Sequence, residues 1–173
     1  MKKIAFVLAL VLSLSLLVAC GNTAESTPAV TAPEGTCEEL INKVYENVTV
    51  ELPLMTMPID LADLETLTWL TTLESAEGLV EVAVNESRMG AQAYSLILVR
   101  AENTEKAAEV AQHMFDNIDM NKWICVCATE KQAVVCGDLA MFIMLDPQYG
   151  VTSQQIVDAF TTVCGGTVSS IIK

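Results

Sequence analysis

From residue 36 onward, apolar side chains recur at two spacings, three-to-four and two, and the switches between them predict the elements. The stretch "EELINKVYENV" from Glu38 places Leu40, Ile41, Val44 and Val48 on one helical face. Thr36 can cap that helix, and Glu38 and Glu39 suit the positive end of its dipole. A loop holding Pro53 and Pro58 follows. In "DLADLETLTWLTTL", Leu61, Leu64, Leu67 or Trp69, and Leu73 fall on one side, but the threonines lower helix propensity. That stretch reads as a short helix or an irregular packing segment.

"GLVEVAV" alternates Val80, Val82 and Val84 as a strand does, "RMG" can turn the chain, and "AQAYSLILVR" reads as the next strand. "NTEKAAEVAQHMFDNI" is a helix, with Asn103 or Thr104 as cap and Ala107, Ala108, Ala111, Met114, Phe115 and Ile118 as its apolar face. Three strands are then expected: "KWICVCAT", "QAVVCG" and "LAMFIMLD". "TEKQ" turns between the first two and Gly137-Asp138 between the last two. "TSQQIVDAFTTV" closes as a helix capped by Thr152 or Ser153, facing inward with Ile156, Val157, Phe160 and Val163 and ended by Gly165 and Gly166. "TVSSIIK" suits a short edge strand. Strands joined by short turns pair antiparallel, so the expected fold class is α+β. It is a single domain over residues 37–173, one mostly antiparallel β-sheet packed with about three α-helices.

In "AVVCGDLAMFIML" both alternating sets are apolar: Val134, Met141 and Ile143 on one side, Val135, Phe142 and Met144 on the other. A sheet with one wet face would alternate apolar with polar. Either the chain covers both faces itself, the favoured reading, or one face meets a protein partner or a second copy.

The N-terminus follows a different rule. Met1-Lys2-Lys3 is followed by an uncharged apolar run over residues 4–19, the order of a secretory signal peptide. The run is short for a spanning helix, which needs about 20 residues. It ends in Leu17-Val18-Ala19-Cys20, which resembles the lipobox of bacterial lipoproteins. That resemblance implies cleavage before Cys20, a diacylglyceryl thioether on its sulfur, and an acylated (palmitate-type) N-terminus. Two or three chains anchor stably where one does not, since each buried CH₂ contributes about 0.8 kcal/mol. The expected address is the cell membrane, lipid-anchored on the extracytoplasmic face. Residues 20–36, small, polar and proline-containing, read as a flexible tether.

Charge narrows the partners. The chain carries −13, and loss of Lys2 and Lys3 with residues 1–19 leaves −15. Nucleic acid and anionic lipid surfaces both require clustered Lys and Arg, so neither is an expected electrostatic partner. The bilayer contact is the one made through acylated Cys20.

Besides Cys20 there are Cys37, Cys125, Cys127, Cys136 and Cys164. Cys125 and Cys127 lie two apart on an expected strand and so share a face. With a tight "TEKQ" turn, Cys136 would lie opposite Cys125, near disulfide range. Three readings stay open: thiols filling a core, the first choice, a disulfide, and a metal or redox site that lacks a local fourth ligand. His113 has no partner resembling a nucleophile elbow. The pairs Asp60/Asp63 and Glu38/Glu39 come without substrate-shaped context. No calcium loop, phosphate loop or dinucleotide fingerprint is present. The expectation is therefore a non-enzymatic protein with no cofactor and no metal, its ligand unspecified.

Residues 36–163 resemble an uncharacterised family of small bacterial lipoprotein domains, of Gram-positive type and of unknown function. The residues that carry the likeness are "MGAQAYSLILVRAENTEKAAEVAQHMFDNIDMNKWICVCA", taken as strand, helix and strand, then "VVCGDLAMFIML". The resemblance implies a membrane-anchored binding or accessory module of the cell envelope. The alternative is a thiol-redox or metal-binding protein using Cys125, Cys127 and Cys136.

Overall fold

A computed structural model describes residues 30–173. The expected signal peptide and Cys20 lie outside the described residues. The elements run α1 (Cys37–Tyr45), β1 (Leu54–Pro58), α2 (Leu64–Thr71), β2 (Leu79–Ser87), β3 (Tyr94–Ala101), α3 (Thr104–Asn117), β4 (Glu130–Cys136), β5 (Leu139–Leu145), α4 (Ser153–Val163) and β6 (Ser170–Ile172), with a 3₁₀ turn at Pro147–Tyr149 before α4. The strands form one six-stranded sheet in the order β1-β2-β3-β5-β4-β6. Every neighbouring pair is antiparallel. The fold is thus a single α+β domain, with four α-helices among the described residues rather than three.

Local chemistry starts each helix. Thr36 Oγ1 accepts from the Glu39 amide at 3.1 Å while Glu39 Oε2 accepts from the Thr36 amide at 2.9 Å, a reciprocal capping box. Thr152 and Gln155 repeat the device at α4. Asn103 Oδ1 caps α3 through the Lys106 amide at 2.8 Å, and Asp63 Oδ1 caps α2 through the Thr66 amide at 3.1 Å.

Both faces of the sheet are covered within the chain. Leu96, Leu98, Val134, Cys136, Leu139, Met141 and Ile143 meet Leu40, Ile41 and Val44 of α1 and Ile156, Val157 and Phe160 of α4. Val82, Val84, Ile97, Val99, Val135, Phe142 and Met144 meet Leu67 and Leu70 of α2 and Ala107, Val110, Ala111 and Met114 of α3. All seven residues of β5 are buried. The two apolar sets of the β4–β5 hairpin therefore divide between two helical layers, leaving neither face bare among the described residues.

Several expectations need correction. The Pro53–Pro58 stretch contains a strand, β1, which is an edge strand and ends at Pro58, where a missing N–H is tolerated. "KWICVCAT" is not a strand: residues 121–128 form an irregular loop with Ile124 99% exposed. "TEKQ" is not a turn, because Glu130, Lys131 and Gln132 already belong to β4. On α3, Val110 is buried and Ala108 exposed, since the face runs 107-110-111-114. Val80 is also exposed, beside an irregularity in the β2–β3 register at Leu79/Glu81. Leu64 and Trp69 point out from α2, Trp69 with 74% of its surface exposed.

Candidate functional site

The expected thiol cluster is not assembled. Cys125 and Cys127 are exposed in the loop before β4, whereas Cys136 is buried at that strand's far end. Six residue steps of strand, at about 3.3 Å each, separate the start of β4 from Cys136 by roughly 20 Å. Cys136 lies opposite Leu139 across the tight turn rather than opposite Cys125. All five cysteines among the described residues are free thiols. No group of three or more His, Cys, Asp or Glu among the described residues is placed to hold a metal ion.

The loop carrying Cys125 and Cys127 is fastened at both ends. Lys122 Nζ bonds Glu86 and reaches Ser95 Oγ at 3.2 Å, and Ser95 Oγ donates to Glu86 Oε1 at 2.8 Å. The Ala128 amide donates to the Met120 carbonyl at 2.9 Å. Lys131 Nζ sits 4.5 Å from the Phe115 ring centroid and bonds the Phe115 carbonyl, which ties the start of β4 to α3. Two thiols and Ile124 are thus presented to solvent on a braced loop.

The buried thiols have a different setting. Cys136 meets Cys164, the residue that ends α4, in the same apolar layer. A side-chain hydrogen bond with Cys164 pulls the Cys136 thiol below its usual range. The same bond, followed by burial, pushes Cys164 up. Cys37 stands apart on α1, its Sγ 3.7 Å from the Glu81 carbonyl, and burial pushes its pKa up to about 12. Such a thiol stays protonated and unreactive at neutral pH. The Cys136–Cys164 pair carries no sequence signal, because 27 intervening residues contain all of β5 and α4.

The remaining sequence candidates have structural duties. His113 Nε2 donates to the Thr72 carbonyl at 2.9 Å, which fixes the ring beside the left-handed residue that ends α2. Asp60 accepts from the Ala62 amide and Asp63 caps α2. Hydrogen bonds from Thr66 hold the Asp63 carboxyl below the usual range. Glu39 completes the α1 capping box.

Two polar arrangements have no counterpart in the sequence reading. Tyr45 Oη donates to Asn85 Oδ1 at 2.6 Å and shares a 2.9 Å hydrogen bond with Tyr94 Oη, and Asn85 Nδ2 donates to Thr56 Oγ1 at 2.8 Å. That chain links α1 to β1, β2 and β3 beneath the surface. At the other end of the sheet, Arg100 binds Asp138 Oδ1 at 2.8 Å and the carbonyls of Pro33 and Gly35 at 3.0 and 3.1 Å. The end of the stretch read as a tether, residues 30–36, is therefore held against the domain.

An open cleft of about 520 Å³ lies between the end of α1 and α4, lined among others by Asn47, Thr49, Gly150, Gln155, Asp158 and Thr162. Its wall is mostly polar and carries one carboxylate and no cation. Among the described residues no helix is long and apolar enough to cross a membrane. Comparison of the chain with protein-family models, with curated proteins and with solved structures finds no match.

Proposed function

We propose that this chain is an exported lipoprotein, held on the extracytoplasmic face of the cell membrane through acylated Cys20. Its folded domain serves as a non-catalytic binding or accessory module of the envelope. The observation that carries the reading is the order Lys2-Lys3, apolar run, Leu17-Val18-Ala19-Cys20. The anchored arrangement has a defined reach. Ten residue steps separate Cys20 from Val30, at most about 35 Å of extended chain. The packed domain would sit near the bilayer, with the Arg100 end of its sheet where the tether leaves.

The test is Cys20→Ala in cells, followed by fractionation and labelling with radioactive palmitate. The expected result is loss of label and accumulation of the unprocessed precursor. Unchanged labelling and processing would refute the anchor.

A second reading, a thiol-redox or soft-metal protein, has one favourable observation: Cys125 and Cys127 are both exposed and two residues apart. It would use those two thiols without Cys136. Native-state titration with Cu(I) under anaerobic conditions tests it. Stoichiometric uptake that Cys125→Ser abolishes would favour it over the first reading.

A further inference from the structure

We propose that Cys136 and Cys164 are a cross-linking site, where an intramolecular disulfide ties the end of β4 to the end of α4. The observations are geometric. Cys136 is the last residue of β4 and Cys164 terminates α4, and both side chains enter the same apolar layer. After Cys164 the chain reverses through Gly165 at φ +76° and Gly166 at φ +86°, a conformation glycine adopts without strain. It then returns to β4 on either side of Cys136. The Ser169 amide donates to the Val135 carbonyl at 2.7 Å, and the Gly137 amide reaches Ser169 Oγ at 3.4 Å. The backbone that follows one cysteine is thus fastened around the other. A disulfide requires Cα atoms about 4.4–6.8 Å apart with the β-carbons facing, and this junction is where the chain brings the two cysteines to one apolar layer.

The other thiols among the described residues are excluded by position. Cys37 is held at the Glu81 carbonyl on β2. Cys125 and Cys127 lie in the loop before β4, whereas Cys136 ends that strand, six residue steps or roughly 20 Å from its start. The oxidant is a disulfide, RSSR. Of the pair, Cys136 holds the thiol that ionises more readily. Its thiolate attacks one sulfur of RSSR, forming a mixed disulfide and expelling RS⁻. Cys164 gives up its proton to that RS⁻ and its sulfur attacks the Cys136 sulfur, forming the Cys136–Cys164 bond and expelling the second RS⁻. The two protons released by the thiols pass to the two RS⁻, so the protein loses two hydrogens and RSSR becomes 2 RSH. The site stands on the geometry of the domain and is independent of the anchor at Cys20.

The experiment uses the full chain purified in detergent and equilibrated with oxidised glutathione. Remaining thiols are alkylated and the digest is mapped by mass spectrometry without reduction. The expected result is a peptide linking Cys136 to Cys164, abolished by dithiothreitol. A melting temperature about 5–10 °C above that of the reduced protein should accompany it, as expected for closing a loop of this length in a domain of this size. Cys164→Ser should remove both the linked peptide and the temperature difference. Should that variant fail to fold, the wild-type peptide map decides alone. Failure to find the linkage while Cys125 and Cys127 are oxidised in the same sample would overturn the proposal, as would finding it only after denaturation.

Discussion

Arg100 on β3 holds Asp138, in the turn between β4 and β5, at 2.8 Å, and the same guanidinium binds the carbonyls of Pro33 and Gly35. One side chain therefore joins the central hairpin to the segment that leads back toward Cys20. Its side chain is 17% exposed and that of Asp138 35%, so the pair is partly shielded from solvent. Charge-assisted bonds in such a setting are stronger than open surface pairs, though still modest.

Arg100→Ala should therefore lower stability by about 1–2 kcal/mol and free residues 30–36 from the domain. Hydrogen exchange followed by mass spectrometry checks it. Faster exchange confined to residues 30–36 and the 137–138 turn is the expected pattern. Unchanged exchange in the 30–36 peptide would show that apolar packing of Val30 and Ala32, and not Arg100, holds the segment.

Gly137 tests the same junction from the other side. Its φ is +57°, and a β-carbon there would lie 2.5 Å from the Ala32 amide nitrogen. Gly137→Ala should cost about 1–3 kcal/mol through backbone strain and that collision. The collision requires Ala32 in place, so in the Arg100→Ala background the added cost should shrink toward the strain alone. A double-mutant cycle by urea denaturation measures the difference. Strictly additive costs would mean the segment stays docked without Arg100.

The elements readable from sequence were those whose periodicity is enforced by burial on one or two faces. The faces of the β4–β5 hairpin were legible, though the start of β4 was not: Val134, Met141 and Ile143 enter one layer, Val135, Phe142 and Met144 the other. Helices with a capping box at Thr36 or Thr152 were equally clear. The apolar run Trp123–Val126 misled because β-propensity describes fit to a half-buried pleat, and here no neighbour strand is offered. Edge strand β1 was hidden by its prolines, which exclude a central strand but not an edge one. The Cys136–Cys164 and Arg100–Asp138 contacts join residues far apart in the chain, so no local pattern could encode them.

The five thiols among the described residues should separate by accessibility. In the native protein, Cys125 and Cys127 should react with a maleimide first, since both are exposed. Cys37, whose pKa burial pushes up to about 12, should label at the rate of global unfolding. Cys125→Ser and Cys127→Ser should each change stability by no more than about 0.5 kcal/mol, as exposed loop positions do. Pulsed labelling with peptide mapping gives the order directly. Rapid native labelling of Cys37 would contradict its burial at the start of α1.

The buried tyrosines set an alkaline limit. Burial is the first cause that raises both Tyr45 and Tyr94 above the ordinary tyrosine value, and for Tyr45 the neighbouring Tyr94 adds to it. In the unfolded chain both ionise near pH 10. Below that value neither state loses the proton, and the stabilisation is fully present. Above it the unfolded state releases protons that the folded state retains, so stability falls as pH rises, by about 1.4 kcal/mol per pH unit for each such group. Tyr94→Phe removes one of the two titrating groups and one hydrogen bond to Tyr45 Oη. Stability at pH 7 should drop by about 1 kcal/mol, while the decline between pH 10 and 11.5 becomes shallower by about one proton. Urea unfolding across that range measures both. An unchanged alkaline slope in Tyr94→Phe would mean that Tyr94 ionises in the folded state as readily as in the unfolded one, contrary to its full burial at the start of β3.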